Sequence, residues 1–255
     1  GTVTGGNSFF ALTESTRLEY ELDESQLVRI CPPGSRHLKG LSFGKPDWVT
    51  LRDCGERVWL LRPDADDKSE GLLRYVQFGS STAVDQAYKC QIRNPWWRPP
   101  ASPAPDLFFT YMSHRYPRLV TNAARVSFLN SMHGVRLRPG TVRAARAALP
   151  LMALNSATML GAEIHGRSYG GGILKMEPRE AAQLPLPAPA ALEQAWHRLK
   201  AERSQFDRQL RHGYWTNVAK RVDEVLLGEV LGLSLADRTE LHEAAASLRE
   251  RRIGR

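Results

Sequence analysis

His165-Gly166-Arg167-Ser168-Tyr169-Gly170-Gly171-Gly172-Ile173-Leu174-Lys175-Met176-Glu177-Pro178 is the stretch whose reading decides the fold. Three consecutive glycines free the backbone to take positive φ, and an arginine, a tyrosine and a lysine flank them. Upstream, residues 141–164 read as a long, mostly apolar helix; downstream, Ile173-Leu174-Lys175-Met176 reads as a short strand. The expected order is helix, glycine loop, strand. A loop that cradles a nucleotide has the opposite order, following a strand and opening a helix so that phosphate meets the helix N-terminus. The block is therefore read as a loop built for close approach and not as a cofactor loop.

Around it, 255 residues with 42% hydrophobic content suffice to bury a core, as one large domain or one domain with an appendage. No run of about eighteen apolar residues occurs, and no charged segment leads into an apolar stretch at the N-terminus, so neither a membrane span nor an export signal is expected. Cys31, Cys54 and Cys90 are odd in number and scattered, which fits a reducing, cytoplasmic setting and offers no thiolate metal site. The histidines show no H-E-x-x-H spacing, so no zinc is implied.

The formal charge of +8 becomes informative once located. Residues 1–85 carry 10 Lys+Arg against 13 Asp+Glu, and residues 163–255 carry 15 against 13. Residues 86–162 carry 10 (Lys89, Arg93, Arg98, Arg115, Arg118, Arg125, Arg136, Arg138, Arg143, Arg146) against Asp106 alone. That window also holds Trp96, Trp97, Tyr111, His114, Tyr116 and His133. Basic residues interleaved with aromatics are the footprint of a surface for a polyanion, most often nucleic acid, with an idle basic face as the plain alternative.

Along the chain, Phe9-Phe10-Ala11-Leu12 reads as a strand, Thr13 caps a helix over 14–20, and Asp23 caps another over 24–30. Asp47 caps a helix ending near Cys54, 58–61 is a buried strand, and 71–78 is a helix closed by Gly79. Residues 87–93, 107–112, 118–121 and 126–129 read as strands, and the proline-rich 98–105 as an extended loop. The helix from Thr141 offers Val142, Ala145, Leu149, Met152, Met159 and Leu160 as an apolar face, and Pro150 is expected to kink or split it. A short helix follows Pro178, then Leu184-Pro185-Leu186-Pro187 forms a stiff spacer. Beyond it everything is helical: Leu192, Trp196, Leu199, Phe206 and Leu210, then Val218, Val222, Val225 and Leu226, then a last helix capped by Ser234. The expected fold is α+β: a mixed β-sheet with packed helices over 1–187 (acidic 1–85, basic 86–187), followed by a helical C-terminal region over 188–255.

Local catalytic patterns fail on chemistry. Asn94-Pro95-Trp96-Trp97 resembles the Asn-Pro-Pro-aromatic loop of amino-methyltransferases, but Trp96 replaces the second proline, and no glycine-bearing strand-loop for S-adenosylmethionine lies upstream. Trp96 and Trp97 are read as packing residues. Pro46-Asp47 with Asp66-Asp67-Lys68 imitates a metal-dependent nuclease, yet the second element lies in a polar loop where its carboxylate would not be fixed. No Ser-His-Asp grouping is recoverable.

Several motifs, in order, resemble the segment that follows the catalytic domain in adenine-specific DNA methyltransferases of restriction-modification systems. They are residues 1–12 (Gly1-Thr2-Val3-Thr4-Gly5-Gly6-Asn7-Ser8-Phe9-Phe10-Ala11-Leu12), Tyr88-Lys89-Cys90-Gln91-Ile92-Arg93 with Trp96, Leu154-Asn155-Ser156, the glycine block, and Leu184-Pro185-Leu186-Pro187. The resemblance implies a target recognition domain that holds double-stranded DNA. The catalytic domain, in cis or as a subunit in trans, would bind S-adenosylmethionine and act on the adenine. This chain alone is then non-catalytic and would begin where the catalytic half ends. The expected DNA contacts are Arg93, Arg98, Arg115, Arg118, Arg125, Arg136, Arg138, Arg167 and Lys175, with His114, Asn122 and Tyr169 as base readers. Two other readings compete: a non-catalytic adaptor for a separate methyltransferase, and a single-strand or RNA-binding module stacking bases on Trp96, Trp97 and Tyr111.

Overall fold

Capping residues and apolar runs translate into short strands and helices in a computed structural model that describes residues 1–141 and 144–254. Val142 and Arg143 lie outside the described residues. The strands are β1 Ala11–Leu12, β2 Leu27–Arg29, β3 Ser42–Phe43, β4 Trp59–Leu61, β5 Leu107–Phe109, β6 Met112–Ser113, β7 Leu119–Asn122, β8 His133–Val135, β9 Arg167–Tyr169 and β10 Ile173–Lys175. The first helices are α1 Asn7–Phe10, α2 Glu14–Glu19, α3 Lys45–Asp53, α4 Glu70–Ser81, α5 Tyr88–Gln91, α6 Ala145–Met152 and α7 Ser156–His165. After them come α8 Pro178–Ala181, α9 Pro189–Leu199, α10 Arg203–Arg211, α11 Trp215–Val222 and α12 Leu235–Ile253. The fold is α+β with a helical C-terminal part, as expected. Contacts divide it into two units with interleaved segments. Unit one is Gly1–Gly34, Gly44–Pro105 and Ala123–Met132; unit two is Ser35–Phe43, Asp106–Asn122 and His133–Arg255.

In unit one the apolar run Trp59–Leu61 becomes the middle strand of an antiparallel β1-β4-β2 sheet and is buried throughout. Thr13 caps α2 as expected, its hydroxyl accepting from the Thr16 amide. Five expectations are corrected here. Residues 7–10 form a helical turn before β1. The helix capped by Asp23 lasts one turn, because the open edge of β4 takes Leu27–Arg29 as a strand. Residues 87–93 hold the short helix α5, with Cys90 its one buried residue; the pattern lacks the alternation that a half-buried strand needs. Residues 126–129 are buried but pair only singly, Ser127 with Ile30 and Leu129 with Thr2. Gly79 lies inside α4 because the rings of Phe9 and Trp96 pack where a Cβ would be, each 2.6 Å from it. Trp96 is thereby a packing residue, 5.5 Å from the Phe9 ring.

Unit two carries the mixed sheet β3-β7-β5-β8, parallel at β3/β7 and antiparallel elsewhere, and a second antiparallel sheet, β6-β10-β9. Strand β8 escapes a sequence reading because a histidine and a glycine fill two of its three positions. Leu107, Phe109 and Leu119 from the first sheet meet Leu174 and Met176 from the second in one core cluster, with Ala153 and Ala162. The helical expectations hold: Leu192, Leu199, Phe206, Leu210, Val218, Val222, Val225 and Leu226 share another cluster with α6 residues Ala148, Leu151 and Met152. Ser234 caps α12 in a reciprocal box with Asp237.

The long helix expected from Thr141 is broken at a different place than Pro150. Helix α6 runs through Pro150, and a 74° bend separates it from α7. A proline leaves the carbonyl four residues earlier without its helical partner. Here that carbonyl belongs to Arg146, and the Thr121 hydroxyl on β7 donates to it at 2.7 Å. The break falls at Asn155, whose amide nitrogen donates to Met152 O at 2.6 Å, while its oxygen accepts from Thr158 N at 2.9 Å. One side chain closes α6 and caps α7. Among the described residues no single helix is long and apolar enough to cross a membrane.

Two outcomes follow. Thr121→Val should lose roughly 1–3 kcal/mol in urea unfolding, because it leaves the Arg146 carbonyl unpaired. Asp223 is buried; Ser156 N and Oγ donate to its two oxygens at 2.8 and 2.6 Å. Burial nevertheless holds its carboxyl above the ordinary value, opposed by the Ser156 hydrogen bonds and by the charges of His242 and Arg238. A raised folded-state value means the stabilising contribution is present below the unfolded value and lost as pH rises through the folded one. Asp223→Asn should therefore gain in stability relative to the parent as pH rises from about 4 to about 7, measured by denaturant midpoint.

Candidate nucleic-acid interface

Charge and unit coincide. Unit two carries 23 Lys+Arg against 14 Asp+Glu, whereas unit one carries 12 against 13. The glycine block lies in unit two, and its expected order is corrected: residues 167–169 already form strand β9, so the glycines turn a β9–β10 hairpin. Gly171 and Gly172 take φ of 73° and 70°, a region that suits glycine.

In the β6-β10-β9 sheet Lys175 lies between Met112 and Arg167, and Ile173 lies opposite Tyr169. Residues two apart on a strand share a face, so Arg167, Tyr169, Ile173 and Lys175 project together while Leu174 enters the core. Lys175 Nζ sits 5.2 Å from the ring centres of both Tyr111 and Tyr169. It pairs with Glu177 at 2.9 Å, and the Tyr111 hydroxyl donates to the same glutamate at 3.0 Å. His133 stands edge-on to Tyr111 at 5.0 Å and parallel to Phe109 at 6.2 Å. The row ends at Tyr169, 55% exposed.

Two carboxylates neutralise much of this face. Tyr111 and Glu177 hold the Lys175 ammonium above its ordinary value, and Lys175, then Tyr111, hold Glu177 below its own. Arg167 Nε donates to Glu180 at 2.7 Å, which raises the arginine. Arg115 and Arg138 are exposed and have no ion-pair partner among the described residues. His114 and Arg136 are exposed as well.

The remaining expected contacts lie elsewhere. Arg118 is half-buried, donates to Lys39 O at 3.2 Å and lies 5.9 Å from the Tyr116 ring. Asn122 is corrected: as the last residue of β7 it is wholly buried and cannot offer its amide to a base edge. In unit one, Arg93 donates to Val3 O at 2.9 Å, and Arg98 donates to Pro63 O at 2.8 Å. Arg125 is exposed with φ of 53°.

A residue outside the sequence-derived set organises the face. Arg252, near the end of α12, binds Glu163 of α7 through Nε and Nη2, both at 2.8 Å. Its Nη1 and Nη2 donate to His114 O at 3.3 Å, and Nη1 also donates to Gly172 O. The two side chains are 4% and 7% exposed. One guanidinium thus holds the hairpin turn and the His114–Arg115 loop to both helices. Its sequence signal, one arginine in a charged helix end, is indistinguishable from a solvated charge.

Residues 1–227 match the family model described as Type II methyltransferase M.Eco57I, C-terminal domain. The chain belongs to this family. It is 26% identical over 182 residues to Type II methyltransferase M.AccI of Acinetobacter calcoaceticus, covering 71% of this chain and 33% of that protein. It is 30% identical over 136 residues to Type II methyltransferase M.XamI of Xanthomonas campestris pv. amaranthicola, covering 52% of this chain and 25% of that protein. The chain thus spans about a third or less of these relatives' lengths. No solved structure matches.

Within this M.Eco57I-type C-terminal domain the nuclease-like carboxylates do structural work. Asp47 accepts from Gly44 N at 2.7 Å at the start of α3, and Asp67 accepts from Gln26 and from Ser69 N at 2.6 and 2.8 Å. Removing one partner of a buried pair strands the other, so Arg252→Met should cost roughly 3–5 kcal/mol in urea unfolding. Arg252→Met with Glu163→Leu should cost clearly less than the two single changes added. Hydrogen exchange of the hairpin amides at 170–173 should accelerate in the single variant.

Proposed function

We propose that this domain binds double-stranded DNA and supplies target recognition for an adenine-N6 methyltransferase of a restriction-modification system. The observation that carries the reading is the concentration of net positive charge in unit two of a chain that belongs to a methyltransferase C-terminal domain family. Arg115, Arg136 and Arg138 would meet phosphates, giving salt-dependent affinity. His114 and Tyr169, on the loop and hairpin fixed by Arg252, would approach base edges, with Arg167 and Lys175 beside them. The glutamates facing Arg167 and Lys175 temper non-specific affinity, since like charges repel an incoming phosphate.

The partner is the catalytic half, in cis or in trans, which would bind S-adenosylmethionine and transfer its methyl group to an extruded adenine. This domain would hold the duplex and set the register. No residue of the chain is assigned a catalytic step.

Fluorescence anisotropy of the isolated chain should show weak duplex binding with a steep salt dependence. Arg115→Gln should weaken binding for every sequence and flatten the log–log salt slope by roughly 0.9, one phosphate contact. Glu177→Gln with Glu180→Gln should strengthen it, a sign that a passive surface would not give. Tight binding to single-stranded RNA with indifference to duplex would overturn the reading. Methyl transfer by the isolated chain would overturn its non-catalytic part.

A further inference from the structure

We infer that unit one contains a phosphate-binding pocket lined by Arg29, Arg62 and Arg125, which takes a backbone phosphate of duplex DNA; the inference rests on the DNA reading above. The pocket measures about 400 Å³, and Val28, Ser102 and Ser127 complete the wall the argument uses. None of the residues lining it is an Asp or Glu.

Its frame is backbone. Arg29 ends β2, Arg62 directly follows β4, and the two strands are paired. Ser127 N donates to Arg29 O at 2.9 Å, and Ser127 Oγ donates to Ser102 O at 2.6 Å. These bonds bring the 101–104 and 125–127 segments against the strands, and Arg29, Arg62 and Arg125 all line the hollow between them.

The charges are arranged for an anion. Arg62 Nε is buried without a hydrogen-bond partner among the described residues, a costly state for a cationic donor. Arg125 is exposed, has no ion-pair partner among the described residues, and stands at φ of 53°, a conformation that a side-chain-bearing residue rarely holds and that clusters at ligand sites. Arg29 does have a countercharge, Glu24 at 3.2 Å, in a pair more than half exposed. Its guanidinium is steadied 5.3 and 5.9 Å from the Trp48 and Trp59 rings. A pocket lined by three arginines and no carboxylate favours an anion; a tetrahedral oxyanion offers acceptors in several directions, including one for Arg62 Nε. The pocket is open enough for a phosphodiester on a chain, and free inorganic phosphates share its chemistry. The acidic composition of residues 1–85 hides the site from a charge count, because Arg29 and Arg62 average out against carboxylates elsewhere in the unit.

The test uses the full chain and the double variant Arg62→Gln, Arg125→Asn, in which asparagine tolerates the left-handed backbone. Circular dichroism and thermal midpoint confirm folding. Duplex binding across salt concentrations should flatten by roughly 1.8 in log–log slope, two phosphate contacts. In a second arm, inorganic pyrophosphate should raise the thermal midpoint of the parent chain above that in sodium chloride of equal ionic strength, and this rise should vanish in the double variant. If the parent binds duplex and the variant does so with the same affinity and slope, the pocket is overturned while the DNA reading stands. Absence of duplex binding by the parent, with a pyrophosphate shift that the variant loses, would overturn the DNA reading and the duplex as occupant, leaving a site for free phosphates. A parent chain that neither binds duplex nor shifts with pyrophosphate overturns both.

Discussion

The Arg252 guanidinium is the constraint on which the geometry of the basic unit depends. A hairpin turned by glycines and a loop carrying His114 and Arg115 are both segments that open easily, since each offers little apolar area to bury. Fixing them requires a group that can reach several carbonyls at once and tolerate burial. A guanidinium has that geometry, and the bidentate bond to Glu163 compensates its charge, so its other donors can face His114 O and Gly172 O. Helix α12 is therefore part of the framework of the candidate interface, and α7, which carries Glu163, is the second fixed point.

Helix α7 depends in turn on how the chain enters it. Asn155 satisfies the last turn of α6 and the first turn of α7 with one amide, and Asp223 accepts from Ser156 at the same helix start. Upstream, Thr121 supplies the hydrogen bond that Pro150 cannot, so α6 stays straight enough to present Ala148, Leu151 and Met152 to the C-terminal helices. Sheet and helices are thus joined by polar bonds at two places where an apolar contact could not have corrected a backbone defect. The 74° bend between α6 and α7 is the geometric result.

These details explain which parts of the fold could be read in advance. Helices α9 to α11 and β4 are legible because one periodicity decides them: a stripe on the helices, an unbroken apolar run on β4. The break near Pro150 was misplaced because its position depends on Thr121, a residue far away in sequence. Residues 24–30 and 87–93 were misread for a related reason: a free strand edge on β4 turned one into a strand, and burial of a single side chain, Cys90, left the other helical. The glycine block was recognised as special, but its turn joins two strands; the residues of β9 are all exposed, so no burial pattern announced a strand there.

The candidate interface was legible as a charge distribution and much less as a set of side chains. Counting along the sequence places the excess in residues 86–162; counting by compact unit places it in unit two, which takes Arg115, Arg118 and the basic residues from Arg136 onward but leaves Lys89, Arg93, Arg98 and Arg125 to unit one. The difference arises because individual arginines have separate fates. Arg93, Arg98 and Arg118 are spent on backbone carbonyls, Arg167 and Lys175 on glutamates, and Asn122 on the core, while Arg115 and Arg138 stay exposed. A cation already bonded to protein can meet a phosphate only by exchanging partners, so its contribution is the difference between two interactions, whereas an unpaired exposed arginine contributes the whole of one. By that argument the face built around Arg252 discriminates through the few groups left uncommitted, and the paired ones shape it.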